Sequence, residues 1–368
     1  MPVIIEARRL KKQYASFAAV KNLSFSVNEG EFLSLLGASG SGKTTTLRMI
    51  AGLEQPSGGQ VLFQGGDITQ LPAARRNMRM VFQDFALFPN LTVWHNVAFG
   101  LRLRINRGRV GAEEIKQRVG RYLETVQLSA HADKLPQQLS GGQRQRVALA
   151  RALVTDPPVV LFDEPLGSLD ASMRKAMQIE LKRLHRELRK TFIYVTHDQE
   201  EAMGLSDRVA VLQDGELLQL ASPEEIYAQP KNEAVARFIG TANVLTGAVQ
   251  VSEAGTAVQL PGGARIALKG SVAGIAPQQV VTVMIRAEQL RVLPASAAVE
   301  GALSARVAER LFLGDKIRYE LDLGEKGPRL TALDSAGGGG RFAVGDAVQV
   351  CADSSHVHLI GRPDADAL

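Results

Sequence analysis

The chain has 368 residues, of which 45% are hydrophobic and 22% are charged, so it is long enough for two or more domains with cores of their own. No stretch approaches the roughly 18 uninterrupted apolar residues of a membrane-spanning helix, and the N-terminal residues contain no apolar run of signal-peptide length. We therefore expect no membrane span and no export signal. The single cysteine, Cys351, excludes an internal disulfide and a cysteine-based metal cage.

The net charge of +5 is compatible with a nucleic acid or an anionic membrane surface as a binding partner. The arginines are scattered, however, with only modest local density in residues 101–109 and 181–190. Scattered charge makes a poor nucleic-acid footprint, so we interpret both runs as solvated helix faces and expect no nucleic-acid partner.

Residues 1–240 alternate short apolar strands with helical patterns, which predicts an α/β domain with a mainly parallel sheet. Three apolar runs bounded by Gly, Pro or charged residues indicate buried strands: GEFLSLLG, PVVLFDEP and Thr191–His197. Two segments have apolar residues at helical spacing: 113–126 and 173–188. We expect a mostly helical subdomain at about residues 84–156.

Residues 241–368 have a different texture, with short alternating segments such as QVVTVMIR, KIRYELDL and DAVQVCA. Such segments, joined by turns that contain glycine, predict a small all-β domain of the OB-like, barrel type. The predicted boundary between the two domains lies near residue 240.

The segment GASGSGKT at Gly37–Thr44 matches the phosphate-loop pattern and lies between a predicted strand and a predicted helix. Its glycines let successive N–H groups point inward around an anion, and the helix N-terminus adds positive potential. Lys43 would reach the β- and γ-phosphates of a nucleoside triphosphate, and the Thr44 hydroxyl would bind Mg²⁺. The expected nucleotide contacts of this loop are Gly37, Ala38, Ser39, Gly40, Ser41, Gly42, Lys43, Thr44 and Thr45.

The apolar strand VVLFDE ends in two acids, Asp163 and Glu164. Asp163, at the strand end, is expected to hold Mg²⁺, and Glu164 to orient and polarise an attacking water. A phosphate loop alone leaves kinases, GTPases and motor ATPases open, but this acid pair favours hydrolysis by water over transfer to a hydroxyl.

The segment LSGGQRQRVALARAL at residues 139–153 predicts a second anion-binding helix start, with Ser140, Gly141, Gly142 and Gln143 at its tip. We call residues 37–44 and residues 139–143 the two cradles. One nucleotide rarely needs two cradles from the same chain, so we expect each cradle to cover the open side of the nucleotide that is bound by another subunit. With this signature, residues 1–240 resemble the nucleotide-binding subunit of an ATP-binding cassette (ABC) transporter.

The resemblance implies roles for five further positions. Tyr14 matches the aromatic residue that stacks on adenine, and Gln83 matches a glutamine that links Mg²⁺ and water to the helical subdomain. His197 matches a histidine that contacts the γ-phosphate. The segment PLGSLD resembles a loop that crosses a dimer interface through Ser168 and Asp170. The family more often has serine at position 167 and proline at position 38; these departures remove no ligand.

ABC proteins that act on DNA or on ribosomes stay open as an alternative, but they carry coiled coils, zinc insertions or a second cassette, none of which this sequence indicates. The segments RFIGTANVL, IRAEQL and FLGD resemble the transport-associated OB-type (TOBE) domain of bacterial import ATPases, although Ala287 stands where proline is usual. This resemblance favours an importer.

The resemblance also implies cofactors and partners. We expect ATP and Mg²⁺, a homodimer of ATPase subunits, membrane permease subunits, and a periplasmic or lipid-anchored solute-binding protein that acts through the permease. The expected location is the cytoplasmic face of the bacterial membrane. The sequence most resembles ATPases of spermidine/putrescine importers, with iron(III), sulfate and phosphonate systems close behind. We expect Phe85–Phe88 to line a groove for a permease helix, and Trp94 and Phe99 to lie in the core.

Overall fold

A computed structural model of the chain describes residues 1–103, 110–252, 255–269, 275–299, 301–337 and 342–360, so most of the arginine run at 101–109 lies outside the described residues. Internal contacts divide the chain into two units, Met1–Pro223 and Glu224–Leu368. This division shows which residues pack together, but it does not show which segments fold on their own. The domain boundary near residue 240 therefore stays a prediction.

In its described residues the first unit contains ten strands in two sheets. In chain order the strands are β1 (Val3–Tyr14), β2 (Phe17–Asn28), β3 (Phe32–Leu36), β4 (Gly58–Phe63), β5 (Gly66–Asp67), β6 (Met78–Val81), β7 (Val159–Asp163), β8 (Thr191–Thr196), β9 (Arg208–Gln213) and β10 (Glu216–Ala221). One sheet is antiparallel, in the order β2-β1-β4-β5; the other is mainly parallel, in the order β10-β9-β3-β8-β7-β6. The predicted α/β class is confirmed.

The α-helices described alongside these strands are α1 (Lys43–Ala51), α2 (Val93–Arg102), α3 (Ala112–Thr125), α4 (Gly141–Leu153), α5 (Ala171–Leu188) and α6 (Gln199–Leu205). Both predicted helical segments agree with the structure, as α3 and α5. Helices α2, α3 and α4 pack against one another and share one apolar cluster with the parallel sheet. Among the described residues, no helix combines the length and the apolar character needed to cross a bilayer.

Each residue of β3, β7 and β8 is buried, as expected for central strands that are covered on both faces. Alternate residues of β8 enter two different cores. Phe192 and Tyr194 pack with α2, α4 and α5, whereas Ile193 and Val195 pack with α1 and the antiparallel sheet. The two cores fix the central strands firmly.

The three central strands place the predicted site residues together. Because β3, β8 and β7 are parallel neighbours, their carboxyl ends meet at one edge of the sheet. Gly37 directly follows β3, Glu164 follows β7, and His197 follows β8. This edge is where ligands bind in open parallel sheets.

The aromatic residues of the 85–99 region divide differently from the prediction. Phe85 lies in the core with 8% exposure and therefore cannot line a groove. Trp94 packs against the core as predicted, but Phe99 is 36% exposed, and its ring centroid lies 4.3 Å from that of Phe88. The buried face of α2 is set by Val97 and its helical neighbours; Phe99, two positions later, points to the opposite side.

The second unit is described by itself. Its elements are α7 (Pro223–Ala228), α8 (Glu233–Phe238), β11 (Ala242–Ser252), β12 (Gly255–Gln259), β13 (Arg265–Ala267), β14 (Val280–Arg286), β15 (Leu290–Pro294), β16 (Leu303–Phe312), β17 (Lys316–Asp322), β18 (Arg329–Ser335), β19 (Ala347–Ala352) and β20 (His358–Ile360). The strands form two five-stranded antiparallel sheets that share one apolar core. The predicted small all-β domain is confirmed.

Candidate nucleotide-binding and catalytic site

The phosphate loop connects β3 to α1 and turns sharply at its end. Gly42, which precedes the helix, has φ of 93°, and a Cβ atom there would lie 2.4 Å from the carbonyl oxygen of Ala19. Only glycine can occupy such a position without displacing backbone. Gly42 therefore permits the sharp turn by which the loop enters α1, and the N-terminus of a helix suits an anion.

Lys43 lies inside this curl. Its Nζ donates hydrogen bonds of 2.8 Å to the carbonyl oxygens of both Gly37 and Ala38, and the residue is only 4% exposed. Burial lowers the pKa of Lys43, and the nearby carboxylates of Glu164 and Asp163 oppose that shift. The side chain is thus held ready at the loop, in a position that favours an anionic partner.

Oxygen ligands for a cation meet beside the lysine. Thr44 Oγ1 donates a 2.8 Å hydrogen bond to Asp163 Oδ1, which joins the start of α1 to the end of β7. Burial raises the pKa of Asp163, whereas Thr44 and Arg48 lower it. Arg48 Nη2 lies 3.9 Å from Asp163 Oδ2. A half-buried hydroxyl next to a buried carboxylate at a phosphate loop suits Mg²⁺, which prefers a few oxygen ligands from the protein and others from phosphate.

Glu164 and His197 form a close pair at the same sheet edge, where His197 Nδ1 lies 3.1 Å from Glu164 Oε2. Glu164 has φ of 44°, a left-handed conformation that costs free energy in a non-glycine residue and marks functional positions. Two main-chain hydrogen bonds hold it there: its N–H donates to Val195, and its carbonyl accepts from Gly167.

Gln83 reaches the same place from the other side. It follows β6 and is exposed. A Cβ atom on Gly167 would lie 3.9 Å from both Gln83 Nε2 and Glu164 Oε2, so the amide and the carboxylate flank that glycine. The structure thus brings Gln83, Asp163, Glu164 and His197 together beside the phosphate loop.

Tyr14 lies at the end of β1 and is 43% exposed. Lys12 Nζ lies 4.9 Å from the centroid of its ring and forms a 2.5 Å ion pair with Glu54. Burial raises the pKa of Tyr14 and the hydrogen bond to Glu54 adds to that rise, whereas a hydrogen bond with Thr45 opposes it. The contact with Thr45 connects the Tyr14 side chain to the start of α1.

The second cradle lies at the start of α4. Ser140 caps this helix by accepting a hydrogen bond from the N–H of Gln143, and Gln143 Oε1 accepts one in return from the Ser140 N–H. Gln143 Nε2 lies 3.1 Å from His131 Nε2. The Gln143 amide is therefore engaged within its own chain, and its contact with a nucleotide stays a prediction.

The two cradles, residues 37–44 and residues 139–143, have separate hydrogen-bond partners. Over the described parts of the chain, no hydrogen bond or ion pair joins residues 37–44 to residues 139–143. Gly141 and Gly142 open α4 beside α5, where Cβ atoms would contact Leu169 and Met173. Asp170 caps α5 by accepting from the Met173 N–H. The signature thus adjoins the PLGSLD loop.

Two arginines that sequence reasoning missed hold parts of the site. Arg151, from the last turn of α4, donates to the carbonyl oxygens of Phe85 and Ala86 at 2.7 and 2.6 Å. Both of these residues have positive φ, at 63° and 46°. Arg174, on α5, contacts the segments on either side of the Glu164–His197 pair. Short motifs could not identify either arginine, because Arg151 binds residues 85 and 86 and Arg174 reaches Asp198, all of which lie more than 20 residues away.

Comparison with known proteins agrees with this geometry. The family described as "ABC transporter" matches residues 20–167, and the TOBE domain matches residues 283–360. A relative from Rubrobacter xylanophilus, the spermidine/putrescine import ATP-binding protein PotA, is 45% identical over 98% of this chain and 94% of its own.

Solved structures show the same cassette. CbiO1 from Clostridium perfringens, part of the ABC transporter complex cbiONQ, has a TM-score of 0.57 at 30% identity and covers 64% of this chain and 94% of its own. The bacterial ABC transporter cassette MJ0796, solved as a dimer, has a TM-score of 0.54 at 36% identity and covers 60% of this chain and 99% of its own. With a phosphate loop, an acid pair, a signature helix and a TOBE domain, the chain belongs to the ATP-hydrolysing ATP-binding proteins of ABC transporters.

Proposed function

We propose that the chain powers a bacterial polyamine importer by hydrolysing ATP. The observation that carries the ATPase part is the Glu164–His197 pair beside Lys43 at the edge of the parallel sheet. The solute is supported by the relatives: PotA proteins named for spermidine/putrescine import are 42–54% identical and align with 66–99% of this chain. The C-terminal TOBE domain supports the direction of transport.

The proposed roles follow from the geometry. Glu164, next to the phosphate loop, would accept the proton of the attacking water as general base. His197, at 3.1 Å from Glu164, would orient that carboxylate and donate to the γ-phosphate. Gln83, beside Glu164 across Gly167, would position the water and respond to the cation. Lys43 and the N–H groups of the loop would stabilise the charge that develops on phosphate.

The residues present fit ATP with Mg²⁺. Tyr14 would stack on the adenine, the loop from Gly37 to Thr45 would hold the phosphates, and Thr44 and Asp163 would hold the cation. The 2.8 Å hydrogen bond between the Thr44 hydroxyl and the Asp163 carboxylate supports this assignment, because it keeps the two oxygens side by side at the phosphate loop. Mg²⁺ supplies neutralisation of phosphate charge when bound.

The proposed assembly is a two-fold dimer attached to permease subunits at the cytoplasmic face of the membrane, with a solute-binding protein on the other side. In a two-fold dimer the same two patches face each other at both sites, so residues 139–143 of one subunit would meet residues 37–44 of its partner. The related cassette MJ0796 was solved as a dimer. Ser168 and Asp170, both exposed beside the signature, would lie at this interface.

A mostly apolar groove of about 490 Å³ in the first unit is the proposed permease-binding surface. It is lined by Ala51, Leu53, Ala73, Ala74, Met78, Arg79, Met80, Phe82, Gly100, Leu103 and Leu161. Its size and apolar lining suit one face of an amphipathic helix. Arg79 is the charged residue of this lining, and burial lowers its pKa; a carboxylate on the incoming helix would offset that cost. Phe82 lines the groove and Gln83 is the next residue of the chain, so the groove and the proposed catalytic residues share one segment.

Replacing Leu53 by Glu should separate permease binding from catalysis. Leu53 is 50% exposed, so the substitution is compatible with folding, but it places an unpaired carboxylate in an apolar contact. We expect ATP hydrolysis of the isolated chain to stay within about twofold while co-purification with its cognate permease falls at least about tenfold. Ile179→Glu, at an equally apolar position on α5 that is 73% exposed, is the matched control. Undiminished permease binding by Leu53→Glu would place the partner elsewhere.

The transported solute is tested by uptake. Cells that lack their own polyamine importers should accumulate labelled spermidine or putrescine when they carry this chain with its cognate permease and binding protein. Competition by unlabelled polyamine, but not by sulfate or iron(III), is the expected result. ATP-dependent uptake of sulfate or iron(III) in place of polyamine would keep the ATPase assignment and refute the solute.

A further inference from the structure

Arg174 contacts both segments that flank the catalytic pair. It lies in the first turn of α5, four residues after Asp170. Its Nη2 donates to the Leu169 carbonyl oxygen at 3.2 Å, and its Nη1 lies 3.5 Å from Asp198 Oδ2. Leu169 belongs to the PLGSLD loop that follows Glu164, and Asp198 directly follows His197. A single guanidinium therefore spans the two loops from which the pair projects.

The third partner of Arg174 is a buried carboxylate. Arg174 Nε lies 3.9 Å from Glu201 Oε1, at ion-pair distance but beyond a hydrogen bond, and it is buried without a hydrogen-bond partner in the described part of the chain. Glu201 is 4% exposed and accepts hydrogen bonds from Tyr194 Oη at 2.8 Å and Thr196 Oγ1 at 2.7 Å. Burial raises the pKa of Glu201, and the charge of Arg174 opposes that rise.

These groups surround a small cavity of about 30 Å³ that also reaches the catalytic pair. Glu164, His197 and Arg174 all line it, together with Asp198 and Glu201. Its volume is enough for about one water molecule, and its walls are polar. Arg174 therefore lines the same cavity as Glu164 and His197, within a single chain.

We propose that Arg174 is a positioning residue for ATP hydrolysis, holding His197 against Glu164 by binding the Leu169 carbonyl and the Asp198 and Glu201 carboxylates at once. The planar guanidinium offers several donors in a fixed arrangement, which suits a bridge between two loops. Asp198 also caps α6 by accepting from the Glu201 N–H, so the orientation of the α6 start depends on the same contact. The proposal rests on the roles assigned above to Glu164 and His197.

The test is the steady-state ATPase kinetics of Arg174→Met. We expect kcat to fall at least about tenfold while the KM for ATP, and binding of a fluorescent ATP analogue, stay within about twofold. Lys175→Met removes a positive charge from the next, exposed position of α5 and is the matched control, with wild-type kcat expected. Wild-type protein in the same assay separates the two claims: absence of its own hydrolysis would refute the ATPase function, whereas the ratio of variant to wild type tests Arg174.

The pH profile adds a measurement that general destabilisation would not change. The charged and titratable groups facing Glu201 are Arg174 from α5, Tyr194 from β8, and Asp198. Burial raises the Glu201 pKa, and the hydrogen bonds from Thr196 and Tyr194 and the charge of Arg174 lower it; removing the guanidinium removes one of these opposing effects, so the Glu201 pKa rises further. Protonation then occurs at higher pH, and the acidic limb of the kcat profile should move to higher pH in Arg174→Met but not in Lys175→Met.

Two outcomes would overturn the proposal. A folded Arg174→Met protein with kcat within about twofold of wild type would do so, as would an equal loss in Lys175→Met. Should Arg174→Met fail to fold, Arg174→Lys decides the question. An ammonium cannot make the bridge to both loops, so wild-type kcat in that variant would contradict a positioning role, and a reduced kcat at unchanged KM would support it.

Discussion

Glu164→Gln is expected to lower the ATP turnover number by about two to four orders of magnitude, the range lost with a general base. Glutamine keeps the size of the side chain and one acceptor oxygen, so the contact with His197 Nδ1 and the left-handed backbone at position 164 can persist. It cannot take a proton from water. ATP affinity should therefore stay within about threefold, as measured by equilibrium binding of a fluorescent analogue, while single-turnover hydrolysis nearly stops.

The matched control for this measurement is Glu200→Gln. Glu200 is exposed in the first turn of α6, three residues after His197, so the change removes the same charge close to the site but outside it. Near wild-type hydrolysis is expected for the control. If Glu164→Gln itself hydrolysed ATP at close to the wild-type rate, another group would have to be the base.

The second large effect concerns mixed dimers, in which the two cradles should act across subunits. Lys43→Ala removes a charge worth about 4 kcal/mol toward a phosphate charge at 4 Å in an intermediate dielectric. Gly142→Asp places a carboxylate at the signature, against the γ-phosphate. With Glu164→Gln in both chains to prevent hydrolysis, Lys43→Ala in one subunit and Gly142→Asp in the other should leave one site intact and trap one ATP per dimer.

Placing both lesions in one subunit, opposite a partner that carries only Glu164→Gln, should damage both sites and trap little or no ATP. The control is Gly142→Ala in place of Gly142→Asp. A Cβ atom there meets only Met173 Sδ at an ordinary 3.7 Å, so a neutral methyl group should be tolerated. Equal trapping by the two arrangements would mean that the signature serves the nucleotide of its own chain.

The sequence was a good guide to the sheet edge and to the phosphate loop. Strands covered on both faces read as continuous apolar runs, so β3, β7 and β8 were predictable. Parallel neighbouring strands have their carboxyl ends at one edge of the sheet, so the residues that follow these strands are predicted to lie close together. Lys43, Asp163, Glu164 and His197 were placed in this way, because each lies within a residue or two of an element boundary that its neighbours define.

Contacts made by long side chains between distant segments were not predictable. Arg151 binds carbonyl oxygens that lie 65 and 66 residues away along the chain. Neither hydrophobic periodicity nor a short motif can predict a contact between residues so far apart along the chain. The misplacement of Phe85 and Phe99 has a related cause: apolar character shows that a residue prefers burial, but only the packed helix α2 decides which of two aromatic residues is buried.

The main chain bends after Gln83 through the left-handed residues Phe85 and Ala86, and this bend depends on the side chain of Arg151, which binds both of their carbonyl oxygens. Two such residues cost on the order of 1–3 kcal/mol each. The hydrogen bonds from Arg151 to their carbonyls contribute about 1.5–3 kcal/mol each, as bonds from a charged donor do. Terms of equal size and opposite sign leave the bend near balance, so withdrawal of one guanidinium would let both residues relax together. A movement of the neighbouring groove would then change the torsion of the main chain two residues from Gln83, which lies beside Glu164.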